Sequence, residues 1–277
     1  MSDLAFLVRN FFTHKDFLPT ASQLSGTLYT PLHWVTSAFL LVVVVLGAVY
    51  LGKRKDERLV KHILFGIWIC VIILEPSKIL WESVSGKVVT LELRGVLPFY
   101  PCSVFMPVLP FCIWGGRRLR LAGCGYLCTI GMLGAAINFF YPANVLSNYS
   151  CLSFAGLHTL LYHGAMLFAC LLVMISGYHR YGDAKTWKEC FLPSLPLLIW
   201  SIPANVINYS PIGSDYMFFK CNSFFLPAIF GNVHDYVTTV LAYLMYALLP
   251  AMFYLIAFAR GTYRSAREMR DKICITK

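Results

Sequence analysis

Cys102 and His163 are the two residues of this 277-residue chain whose chemistry points furthest beyond packing. A neutral imidazole can take a thiol proton, and the resulting thiolate is the nucleophile of covalent acyl chemistry. Cys102 follows Pro101 in a run that also holds Pro98, Pro107 and Pro110. Four prolines in one apolar stretch predict a kinked or partly unwound helix, whose freed backbone groups are tolerated only beside protein partners or water. Such a break next to a cysteine favours a cavity. Composition leaves the alternative open that Cys102 is one packing cysteine among many and His163 a satisfied interior histidine.

The elements that must hold these residues are membrane spans. The chain is 58% hydrophobic and 13% charged with a mean hydropathy of +0.66, whereas a soluble domain carries roughly 25% charged residues. Apolar windows of about 20 residues predict spans near 33–52, 59–82, 97–116, 121–141, 154–176, 189–210 and 235–259. The expected fold class is therefore all-α, a polytopic helical bundle of about seven spans forming a single domain over 1–277. Residues 1–30 form an interfacial N-terminal segment, with Leu4–Leu18 expected as a helix lying on the outer surface. Without a basic start and an uninterrupted apolar core in these residues, the first span is expected to act as its own insertion signal.

The net charge of +10 would suggest nucleic acid in a soluble chain, but the cations cluster between apolar spans, so no nucleic-acid partner is expected. Of the 23 Lys and Arg, 17 fall on one side, 5 on the other, and Lys78 lies within a span. The basic side belongs in the cytosol, which places the N-terminus outside and the basic tail 260–277 inside. Arg264, Arg267, Arg270 and Lys272 in that tail could attract anionic lipid. The expected location is the plasma membrane in a bacterium and an endomembrane in a eukaryote.

Ionisable groups within a span face the bundle interior or a wet cavity, because lipid exposure costs several kcal/mol. With this orientation Glu75, Lys78, Cys102, Asn138, His158, His163, Asn205, Asn208 and His234 all fall in the outer half. A rise of about 1.5 Å per residue sets Cys102 roughly 8 Å below the outer boundary and His163 roughly 14 Å below it. Glu75 and Lys78 suit an intrahelical ion pair, with a direct role at the pocket as the alternative. His158 is five positions from His163, off its helical face, and is expected at the outer interface. The three asparagines suit interhelical hydrogen bonds or an oxyanion contact. Cys70, Cys112, Cys124, Cys128 and Cys170 read as small buried hydrophobes, and Cys151 and Cys221 fall in outer connections where pairing is one option. No metal-ligand spacing is present, and no metal or cofactor is expected.

The run Leu97-Pro98-Phe99-Tyr100-Pro101-Cys102-Ser103 resembles the YwaF-like family of bacterial integral membrane proteins, whose third span opens with an LPLHLC pattern. Gly134 to Pro142, Tyr162 to Leu167 and Asp215 to Phe219 are similar to that family's glycine-rich span, histidine-bearing span and NYMFL segment. The pattern is also similar to vertebrate membrane acyltransferases of ether phospholipids, in which a Pro-Cys pair at the start of a span supplies the nucleophile. That resemblance implies that Cys102 carries an acyl group and His163 activates it, with membrane phospholipid or lysophospholipid as partners. The chain departs from these patterns at Tyr100 and Ser103, where relatives carry histidine, so His163 is left as the base. The rival expectation is a transporter or small-ligand receptor using the same outward polar cavity without covalent chemistry.

Overall fold

A computed structural model describes residues 10–18, 27–87, 97–211, 213–220 and 235–275. Among these residues all regular secondary structure is helical, with six helices long and apolar enough to cross a membrane and one shorter apolar helix between them. The spans are α1 (Pro31–Gly52), α2 (Glu57–Ser85), the short α3 (Pro101–Trp114), α4, α5 (Phe154–Ile175), α6 (Trp187–Asn208) and α7 (Asp235–Ile275). The α4 run consists of Arg117–Tyr126, a π-helical turn Leu127–Gly131 and Met132–Phe140. Seven apolar helices stand where the sequence places seven spans.

Local chemistry sets the helix starts. Thr30 accepts from the His33 N–H with Pro31 at the first helical position, Asp56 accepts from Arg58 and Leu59, Ser153 from Gly156 and Thr186 from Glu189. Each side-chain oxygen satisfies a donor that the first helical turn leaves without a partner. The third span is shorter than expected because Pro98 and Pro101 keep the chain out of helix until Pro101. At the other end α7 runs on through the basic tail, making a rod about 60 Å long that reaches Ile275.

Helices α4 and α5 form the centre. Two thirds of the apolar window of each is buried, against 17% for α2 and 22% for α1 and α7. Helix α5 packs on α1, α2 and α4, while α7 and the first part of α4 close on the start of α6. The outer helices present Phe39, Leu46, Leu80, Ile199, Val206 and Leu248 outward, as expected of faces solvated by lipid chains. Cys112, Cys124, Cys128 and Cys170 are fully buried, as read from their apolar setting, but Cys70 lies on the exposed face of α2.

The N-terminal segment differs from the expected interfacial helix. Residues 4–9 lie outside the described residues; from Phe11 to Leu18 the chain holds turns and one 3-10 helix, Lys15–Phe17. This stretch is tied to the bundle. Trp81 Nε1 donates to the Phe12 carbonyl at 3.0 Å, the Phe154 N–H to the Phe11 carbonyl at 2.9 Å, and buried His14 lies 3.5 Å from Glu82. Cys151 is a free buried thiol 3.0 Å from Thr27 Oγ1, and its proposed partner Cys221 lies outside the described residues. Burial pushes the Cys151 thiol up, against a smaller opposing effect of the Thr27 hydrogen bond.

At the opposite end, the connection from α5 to α6 carries His179, 3% exposed, bonded to Tyr254 and 3.4 Å from Asp183. Burial pulls this imidazole down to about 4, helped by Arg120 and opposed by Asp183. The folded state therefore holds His179 neutral where the unfolded chain, with an ordinary histidine near 6.5, takes up a proton. Stability is full above about pH 6.5 and is lost as the pH falls towards 4, by on the order of 2 to 3 kcal/mol. Thermal melting of purified protein across that window is expected to fall steeply, and His179→Gln is expected to flatten the dependence.

Candidate functional site

The broken start of α3 is anchored by side chains from several other elements. Aromatic side chains from other elements bond carbonyls of this proline-rich start, and the Cys102 carbonyl also accepts from the Phe105 N–H. Trp200 Nε1 on α6 donates to the Pro98 carbonyl at 2.8 Å, Tyr126 Oη on α4 to Pro101 at 2.6 Å, and Tyr162 Oη on α5 to Cys102 at 3.3 Å. Tyr216 Oη accepts from the Leu97 N–H at 2.9 Å. Buried backbone groups require such partners, so the sequence's proline break is realised as a segment clamped from several sides. Tyr126→Phe is expected to destabilise by about 1 to 3 kcal/mol, the cost of an unpaired buried carbonyl, readable as a lowered melting temperature.

Cys102 sits at the second position of α3, half-buried. Aligned peptide dipoles favour negative charge at a helix start. Its sulfur faces Gly134 on α4, where a Cβ would stand 3.3 Å from Sγ. One turn further along α4, Asn138 carries a buried Oδ1 with no hydrogen-bond partner among the described residues. Positions i and i+4 share a helix face, so the sulfur and this oxygen lie along one face of α4.

His163 is buried on α5, next in sequence to the tyrosine that holds the Cys102 carbonyl. Its Nδ1 lies 2.7 Å from the Thr159 carbonyl oxygen. A carbonyl only accepts, so Nδ1 carries the proton and the Nε2 lone pair is left to take another. Tyr162 packs edge-on against both His163 and Phe105, and stacks on His158.

Two expectations are corrected here. His158 is not at the outer interface; it is buried with Nε2 3.4 Å from Glu75 Oε2, close enough for charge contact but without hydrogen-bond geometry. Five residues do separate the two imidazoles by about 140° around the helix, but α5 is enclosed on most sides, so both directions lead inward. Glu75, expected to pair with Lys78, instead points into the bundle towards His158; Lys78 is half-buried and makes no ion pair with it among the described residues.

The remaining candidates divide. Ser103 is buried beside Cys102, and Tyr100 packs on Tyr216 and Phe218. Asn205 has a buried Oδ1 without a partner among the described residues. Asn208 is a backbone lock: its Nδ2 donates to the Tyr216 carbonyl and its Oδ1 accepts from the Tyr216 N–H, each at 2.7 Å. His234 lies outside the described residues. The locked segment beyond Asn208 includes Met217 and Phe218 at φ of 58° and 56°, uncommon for non-glycine residues. Tyr126, Tyr162, Trp200 and Tyr216 were not singled out from sequence; the available signal was an excess of freed carbonyls around four prolines, which calls for donors on neighbouring spans.

Fold and site together define a polytopic helical membrane protein with a cysteine at the head of a broken span. The chain belongs to the TMEM164 family of transmembrane proteins, whose sequence model matches residues 28–259. No curated protein and no solved structure matches it.

Proposed function

We propose that the protein is a membrane-embedded acyltransferase that moves a fatty acyl chain between membrane lipids through a thioester on Cys102. The supporting observation is the pairing, on adjacent α5 residues, of a tyrosine that holds the Cys102 carbonyl with an imidazole whose Nε2 is free to accept a proton. The resemblance of the Pro101-Cys102 run to YwaF-like proteins and to ether-phospholipid acyltransferases supports the same reading.

In the first half-reaction His163 Nε2 takes the thiol proton and the thiolate attacks an ester carbonyl of a phospholipid. The C–O ester bond breaks, the imidazolium returns its proton to the departing alkoxide, and a lysolipid leaves. In the second, a lipid hydroxyl gives its proton to His163 and attacks the thioester. The C–S bond breaks and the thiolate is reprotonated. The Asn138 and Asn205 oxygens, which have no partner among the described residues, are suited to donors of a polar headgroup. Water in place of the second lipid would make the same site a hydrolase.

The test is incubation of purified protein with a phospholipid carrying a labelled acyl chain, followed by intact-mass and peptide analysis. A hydroxylamine-sensitive acyl adduct on the Cys102 peptide supports the proposal. Unmodified Cys102 with unchanged lipid, together with ligand-dependent flux in proteoliposomes, replaces it with transport.

A further inference from the structure

A cavity of about 500 Å³ opens at the basic end of the bundle, the face that the charge bias assigns to the cytosol. It lies between the α1–α2 turn, the start of α4 and the connection from α5 to α6. The sequence offered no reason to expect a site here, because its cations read as topology markers.

Four cations line it, Lys55, Arg117, Arg120 and Lys185, against two carboxylates, Glu57 and Asp183. Both carboxylates are already engaged. Glu57 is held by Lys61 at 2.9 Å and Arg120 at 3.3 Å; Asp183 faces His179 at 3.4 Å and accepts from the Arg180 N–H at 2.9 Å. Arg117 pairs with Glu189 outside the lining. The ammonium groups of Lys55 and Lys185 make no ion pair among the described residues, although the Lys185 backbone N–H donates to Glu189 Oε2 at 2.9 Å. Both lysines line a space whose remaining lining includes Ser176, Tyr178 and Gly182. Gly182 has nothing within 4 Å of where a Cβ would stand, which leaves this wall open.

An excess of cations around a polar, open space selects an anion, and the volume exceeds that of a simple inorganic ion. Both arginines are engaged, which leaves the lysines, whose ammonium groups act as mobile point charges suited to phosphate oxygens. Leu121 is the one aliphatic side chain of the lining, so nothing there accommodates an acyl chain. We infer that this cavity binds a phosphate-bearing anion, through Lys55 and Lys185, at the cytosolic face. The phosphate is either the headgroup of a cytosolic-leaflet lipid or that of a soluble phosphomonoester. This site is independent of the Cys102 chemistry, which lies at the other end of the bundle.

The experiment is thermal unfolding of the purified full chain in neutral detergent at fixed ionic strength. The added probes are inorganic phosphate, glycerol phosphate, a short-chain phosphatidate and, as control, a short-chain phosphatidylcholine. A ligand that binds only the folded state raises the melting temperature saturably. Stabilisation by phosphatidate alone identifies the lipid source, and stabilisation by glycerol phosphate at equal or lower concentration identifies the soluble one. The Lys55→Gln/Lys185→Gln variant is expected to raise the half-saturating concentration on the order of tenfold, and Cys102→Ala to leave it unchanged. Should the double variant melt differently without ligand, the single Lys185→Gln variant carries the same comparison. No stabilisation beyond that of chloride at equal ionic strength, or wild-type half-saturation in the lysine variants, overturns the inference.

Discussion

Cys102→Ala is expected to abolish lipid acyl turnover, by on the order of 10³-fold or more in kcat/KM, because no other group can take the thioester. The change deletes one sulfur opposite Gly134, so folding is expected to lose only about 1 kcal/mol. His163→Asn keeps a donor at the Nδ1 position for the Thr159 carbonyl but removes the proton acceptor. Its kcat is expected to fall about 10²- to 10⁴-fold, with KM little changed and adduct formation slowed rather than eliminated. Steady-state turnover and the rate of adduct appearance, measured on both variants, separate nucleophile from base. Full turnover in Cys102→Ala refutes the thioester route outright.

Gly156→Ala carries the largest expected effect on stability. A Cβ at this position, in the first turn of α5, would stand 2.0 Å from the Ser150 carbonyl oxygen and 2.9 Å from its carbon. These are backbone atoms of a connection closed by hydrogen bonds from Ser153 to the Ser150 carbonyl, so neither partner can move aside by changing rotamer. The start of α5 must shift, and a loss of about 3 kcal/mol or more is expected. Because α5 carries His158, Tyr162 and His163, a folded remnant is also expected to lose turnover. A melting temperature within a degree of the parent would show that this turn tolerates a side chain.

Much of the bundle was legible in the sequence because lipid imposes one rule, about 20 apolar residues per helical span. The ends Pro31, Phe154 and Gly52 lie within a few residues of the expected limits because Thr30, Ser153 and the Lys53-Arg54-Lys55 run mark them. The proline-rich run also announced its break. The partners of that break were not legible, since Trp200, Tyr126 and Tyr162 stand 102, 25 and 60 residues from the carbonyls they hold. Nor was the Glu75 to His158 contact, because sequence neighbours suggest Lys78 and only the packing of α2 on α5 supplies the nearer group. The enclosure of α5 has the same origin: periodicity reports which face of a helix is apolar, not how many neighbours surround it.

The clamped start of α3 also constrains the order in which the molecule can be assembled. When this stretch enters the membrane, the spans that carry Tyr126, Tyr162 and Trp200, and the segment that carries Tyr216, have yet to insert, so its loosened peptide groups must wait beside water or the insertion machinery. Arrival of α4 and α5 secures the Pro101 and Cys102 carbonyls, and only insertion of α6 and its following segment secures Pro98 and Leu97. A chain arrested before residue 200 would thus hold both cysteine and imidazole, yet leave the ground beneath them unfinished.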